Sequence, residues 1–264
     1  MCKNMSYITI SIYLFLAIAQ TLHLYGKLTF PKTLLIIIGL CGVSLHGLML
    51  YYWIDTPLGQ NLSLSNIFSL VLWGMAILTL LTSLKKPIEN LTVFILPMAA
   101  FSILITLTYP GNDIFQTRLH PGSLIHILIS IVAFSTLGMA ALQATLLHMQ
   151  NRLLRNKRPT SIVRILPPLQ TMESLLFQII GLGFILLSAS LGTAFLFLDD
   201  LFTVSRLQKI ILSFLAWGLF ATLIYGHYHS GWRGPTAVRW TLFGVGMLIL
   251  SYFGSKLIFL NHWN

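Results

Sequence analysis

Residues 175 to 198 read Leu-Leu-Phe-Gln-Ile-Ile-Gly-Leu-Gly-Phe-Ile-Leu-Leu-Ser-Ala-Ser-Leu-Gly-Thr-Ala-Phe-Leu-Phe-Leu, 24 positions without a charge. The hydrocarbon of a bilayer is about 30 Å thick and an α-helix rises about 1.5 Å per residue, so roughly 20 such positions cross it. The stretch therefore reads as a transmembrane helix. Seven further runs of the same character lie at about 5–25, 33–53, 64–84, 89–108, 123–147, 209–229 and 238–259. Their apolar character is continuous, whereas barrel strands alternate over about ten residues, so the class is all-α. The longest connector expected, residues 148 to 174, is too short for a core of its own. Residues 1–264 are thus expected to form a single integral membrane domain, a bundle of eight transmembrane helices.

Composition agrees with that reading. Of 264 residues 56% are apolar and 8% charged, where a soluble domain carries about a quarter charged and a disordered chain more. The two cysteines, Cys2 and Cys41, form no CxxC, which argues against a disulfide framework or a thiol relay within the chain.

Lys and Arg number 16 against 6 acids, a formal charge of +10. Lys3, the apolar run behind it and Ala17-Ile18-Ala19 imitate a secretory signal with its cleavage site. Sidedness separates the readings. With the first run retained and its start outside, the segments after spans one, three, five and seven collect 11 basic residues, leaving 5 on the other side. Cleavage after Ala19 would strand Lys27 and Lys32 outside. Both termini are therefore expected on the outer, periplasmic side. The charge becomes a topology signal, with the lipid bilayer and not a nucleic acid as its partner. Residues 151 to 164, with five basic side chains before Pro167-Pro168, are expected on anionic headgroups.

No Asp, Glu or Lys is expected at membrane depth, so a proton or cation path of the carboxylate type has nothing to run on. GxSxG, HExxH and the phosphate-binding glycine loop are absent, and no enzyme activity is expected. Histidine remains. His46, His126, His227 and His229 fall within the expected spans, while His23, His120, His148 and His262 lie at ends or in loops. For each, a neutral imidazole bonded to a neighbouring helix stands beside a ligand role. Counted from the outer boundary, His46 lies about 10 Å deep and His126 about 5 Å, at ~1.5 Å per residue. Modest tilt would let them meet at one iron. His227, near the inner boundary, is more than about 20 Å from His126 on the same count and would serve a second site. Zinc is disfavoured because thiolates and carboxylates are missing nearby. Heme, whose macrocycle fills four coordination positions itself, suits a setting that offers only histidine.

Three stretches resemble a known family. Residues 62 to 73, Leu-Ser-Leu-Ser-Asn-Ile-Phe-Ser-Leu-Val-Leu-Trp, resemble the "LSNxYESLxFLxW" segment of the CcsA proteins, which handle heme in cytochrome c biogenesis. Residues 125 to 137, Ile-His-Ile-Leu-Ile-Ser-Ile-Val-Ala-Phe-Ser-Thr-Leu, resemble their "HVxxxxLSYAxL" helix. Gly231-Trp232-Arg233-Gly234, followed by Ser251-Tyr252-Phe253-Gly254, resembles their "GWxGxxA…xYFGxNLL" ending. The likeness runs in order over roughly residues 60 to 260. The "GHYHxGWRG" junction at 226 to 234 is similar to that of the HemX-like or YpjD-type inner-membrane subgroup of this CcsA/CcmC/HemX-like cytochrome c assembly family.

The resemblance implies a heme-handling protein of the bacterial inner (plasma) membrane that binds heme b, with cytochrome-assembly proteins as partners. It implies an axial-ligand role for His126, and His46 resembles the early-helix histidine of the subgroup. His227 matches approximately, since the family histidine before "GWxG" falls two residues earlier, at Tyr225. One departure concerns the tryptophan-rich outer loop "WGxxWxWD" that presents heme in CcsA, CcmC and CcmF. Here the corresponding residues are Leu198-Asp199-Asp200-Leu201-Phe202-Thr203. That leaves a heme-free scaffold or regulator of the same fold as the alternative. Structural roles stand beside the functional ones: Trp232 and Arg233 as an interfacial anchor, Gly231 and Gly234 as a turn, Asn66 as a helix-end bond, and Glu173 as a carboxylate at a helix N-terminus.

Overall fold

The computed structural model describes residues 2–111, 113–115, 121–156, 166–197 and 204–254. Among them are eight helices long and apolar enough to cross a membrane. These are α1 (Cys2–Leu24), α2 (Lys32–Ile54), α3 (Leu64–Ser83), α4 (Glu89–Thr108), α5 (Pro121–Arg155), α6 (Leu169–Phe197), α7 (Val204–Ser230) and α8 (Gly234–Ile249), the last running into a π turn at Leu250–Gly254. Most boundaries fall within a few residues of the apolar runs. The connector expected at 148–174 is the exception, because α5 continues to Arg155 and α6 starts at Leu169, directly after Pro167-Pro168. The reason lies in two buried amides. Gln143 Nε2 donates to Met172 O at 3.2 Å and Gln150 Nε2 to Pro167 O at 3.0 Å. These two donors tie the helix pair together beyond the apolar stretch, while Gln143 Oε1 and Gln150 Oε1 are buried without a hydrogen-bond partner among the described residues.

The chain is organised as two compact units, one holding α1 to α4 and the other α5 to α8. In the first unit α1 packs on α2 and α4, and α3 on the same two, closing a ring of four helices. Tyr13, Met49, Leu91, Ile95 and Ile103 are fully buried in it. At one end Lys32 Nζ meets Glu89 Oε1 at 2.6 Å, joining the starts of α2 and α4. At the other a small antiparallel sheet forms from β1 (Asp55–Thr56), β2 (Gly59–Asn61) and β3 (Ile114–Phe115), with Thr56 opposite Gly59 and Asn61 opposite Ile114. Asn66 fixes the sheet to the helices: its Nδ2 donates to Asn61 O at 3.0 Å and Trp53 O at 3.3 Å. The bond expected of Asn66 at a helix end thus ties α3 to β2 and to the last turn of α2.

In the second unit α5 packs along α6 and α8, and α7 against α6 and α8. Leu137, Leu176, Ile180, Phe220 and Leu223 make its fully buried core. The turn between α7 and α8 is built on left-handed glycines, Gly231 at φ +65° and Gly234 at φ +53°, where a Cβ would be strained. Trp232 N–H donates to Gly226 O at 3.1 Å, and the Trp232 ring lies so close over Gly226 that no side chain would fit there. Glu173 receives the Gly234 N–H on Oε1 at 2.8 Å, so its carboxylate anchors this turn to α6.

Candidate functional site

His126 stands on the second turn of α5 and is partly buried. Its Nδ1 lies 3.0 Å from the Ser190 carbonyl and 3.2 Å from Thr193 Oγ1, both on α6. A carbonyl only accepts, so Nδ1 carries the proton in this bond, and the neutral ring keeps its lone pair on Nε2. Ser130 Oγ lies 3.4 Å from Nε2, but the same hydroxyl is 2.7 Å from His126 O and 2.7 Å from Ser190 Oγ. The short contacts take its proton, and the Nε2 lone pair stays available. Metal-binding histidines hold the same kind of bond from the nitrogen that does not ligate.

His46 is fully buried at the centre of the first unit, and both its nitrogens are engaged. Nε2 lies 2.9 Å from Ser69 Oγ, Ser69 Oγ 3.2 Å from Ser102 Oγ, and Nδ1 3.2 Å from Tyr13 Oη. One bond sets the direction of all the others. Ser102 donates its only hydroxyl proton to Ala99 O at 2.7 Å, so Ser69 donates to Ser102, His46 Nε2–H donates to Ser69, and Tyr13 O–H donates to Nδ1. This chain joins α1, α2, α3 and α4. An imidazole bonded this way has no lone pair left for iron unless Tyr13 releases Nδ1.

His227, in the last turn of α7, donates from Nδ1 to Trp232 O at 2.9 Å and stacks on Phe177 with ring centroids 3.5 Å apart. Among the described residues nothing bonds its Nε2. His126 and His227 thus share one tautomer and one exposed nitrogen, but not one place. Their α6 neighbours, Ser190 and Phe177, are 13 positions apart, or about 20 Å of helix. The expected axial pair of His46 and His126 draws one member from each unit, and only His126 offers an open nitrogen. Among the described residues no group of three or more His, Cys, Asp or Glu side chains comes together. His120, His262 and the stretch Leu198–Thr203 lie outside the described residues.

Ser130, Ser190 and Thr193 around His126, and Tyr13, Ser69 and Ser102 around His46, were not singled out by the sequence. The signal available was thin. Ser130 stands one turn after His126, and Ser188-Ala189-Ser190-Leu191-Gly192-Thr193 concentrates hydroxyls and small side chains in a span otherwise built of large apolar ones.

Residues 34–261 match the family model described as cytochrome C assembly protein. The chain belongs to that family. It is 35% identical over 208 residues to the inner membrane protein YpjD of Escherichia coli strain K12, a match covering 77% of each chain. It is 31% identical over 136 residues to an uncharacterized 28.8 kDa protein of Azospirillum brasilense, about half of each chain, and 20% identical over 144 residues to protein HemX of Brevibacillus brevis, again about half of each. No solved structure matches. The cytochrome c assembly protein described here is accordingly an integral inner-membrane protein, and its family membership points to a role in cytochrome c biogenesis.

Proposed function

We propose that this cytochrome c assembly protein binds heme and holds it through Nε2 of His126, as a step of binding and orientation without turnover. The observation that carries the reading is the Nδ1–H bond to the Ser190 carbonyl, which leaves the Nε2 lone pair free, while among the described residues no group of three or more His, Cys, Asp or Glu side chains gathers to hold another metal. Heme iron would supply redox and ligand-exchange chemistry. The chain's own groups do the rest: the α6 carbonyl orients the imidazole, and Ser130 holds its proton away from Nε2. His227, with the same tautomer at the other end of α6, would serve a separate second heme. His46 is read as the hub of the first unit in place of an axial ligand, because iron would have to displace Tyr13 from its one lone pair, on Nδ1. The heme would be heme b, and the partners the lipid bilayer and other cytochrome-assembly proteins. Both chain termini would lie on the outer side.

The absorption spectrum of protein purified with ample heme supply tests the reading. Wild type should show a Soret band, His126→Ala should lose or broaden it, and His46→Ala should change stability more than spectrum. A wild-type protein without a Soret band would overturn the proposal in favour of a heme-free scaffold or regulator. The missing tryptophans at 198–203 favour that second reading.

A further inference from the structure

We infer that Thr193 is a positioning residue for His126: with the Ser190 carbonyl it takes the Nδ1 proton, selects Nε2 as the ligating nitrogen, and loads the ring with electron density. This rests on the heme reading above for its consequence at iron, although the proton placement stands without it. The argument is a count of protons. Thr193 Oγ1 is 2.9 Å from Ser190 O and 3.0 Å from Ala189 O, both carbonyls of its own helix, so its single hydroxyl proton is committed there. Towards His126 the oxygen has only lone pairs to offer, 3.2 Å from Nδ1. The imidazole N–H therefore faces two acceptors and no donor, and the opposite tautomer would leave Nδ1 without a proton against two oxygens. At the other nitrogen Ser130 is turned away by its 2.7 Å contacts. Acceptors on the non-ligating nitrogen raise the basicity of the ligating one. A more basic imidazole favours the higher charge on iron.

The test has an arm without heme and an arm with it. In unloaded protein carrying 15N-histidine, the signals lost in His126→Ala identify that ring. The expected wild-type spectrum shows a protonated Nδ1 and an unprotonated Nε2. Thr193→Val keeps the shape and the β-branch and removes the second acceptor, and should move the Nδ1–H proton upfield, while Thr193→Ser restores it. With heme bound, Thr193→Val should raise the midpoint potential and lower the iron–histidine stretching frequency, and Thr193→Ser should return both to wild type. A ring protonated on Nε2 in wild type overturns the inference. So does a Thr193→Val protein whose Nδ1–H signal and potential are both unchanged. A wild-type protein with no Soret band sinks the heme reading and the role of Thr193 at iron, whereas the nitrogen spectrum still decides where the proton sits.

Discussion

Two histidines set among apolar helices receive opposite treatment from their neighbours. At His126 a carbonyl takes the Nδ1 proton and Nε2 is left open. At His46 a run of hydroxyls takes the Nε2 proton, and Tyr13 fills the lone pair of Nδ1. The difference traces to a single committed proton, that of Ser102 on Ala99 O, which fixes the direction of the whole buried chain. Tyr13→Phe removes the donor at its far end, leaves the volume nearly unchanged and strands Nδ1 in a fully buried place. Interhelical hydrogen bonds in membrane proteins are worth about 0.6 kcal/mol on average and up to about 1.7 kcal/mol. The buried, four-helix setting puts the expected loss at the upper end. Thermal unfolding in detergent should show it for Tyr13→Phe and not for Tyr7→Phe, whose ring is 59% exposed on the same helix. Equal stability of the two variants would mean that the hydroxyl chain does not hold the unit together.

Among the elements, the α7–α8 turn is the one most tightly specified by single residues. Gly226 is buried beneath the Trp232 ring, His227 is stacked on Phe177, and Gly234 is bonded to Glu173. A side chain at Gly226 has nowhere to go, and overpacking of this kind costs about 1–3 kcal/mol. Gly226→Leu should therefore destabilise the protein and shift the fluorescence of Trp232, whereas Gly218→Ala on the same helix, where a Cβ would meet open space, should leave the fluorescence unchanged and lower the stability not at all.

The glycines and tryptophan of this turn were legible in the sequence as a turn with an interfacial anchor; the role of Glu173 as its tether was not, because 61 positions separate the partners. The spans were legible because lipid demands long continuous apolar runs. The extension of α5 to Arg155 was hidden because apolar continuity stops near His148, while buried glutamines carry the packing further. Strands of two or three residues are too short for alternation to register. At the site, His126 stood out as an imidazole in an apolar run. Its serine and threonine partners did not, since such residues are common in membrane helices and mostly bond a carbonyl one turn back.

At the scale of the whole chain, the charge distribution makes a statement that neither unit makes alone. With eight helices the segments before α2, between α3 and α4, between α5 and α6, and between α7 and α8 share one side of the membrane if every helix spans it. Those segments and their flanks carry 11 of the 16 basic residues. By the positive-inside rule those segments are expected in the cytoplasm, and an even number of spans would then put both termini outside, as proposed above. Lys32 adds little to any net field because Glu89 neutralises it at 2.6 Å, yet the rule counts lysine and arginine irrespective of acids nearby, so the bias stands. Reporter fusions after Lys157 and after Asn264 should therefore report opposite sides, the first cytoplasmic and the second periplasmic. Both on one side would require one helix after α5 to lie outside the membrane. Opposite sides in the reverse sense would instead put the open nitrogen of His126 at the cytoplasmic end of α5.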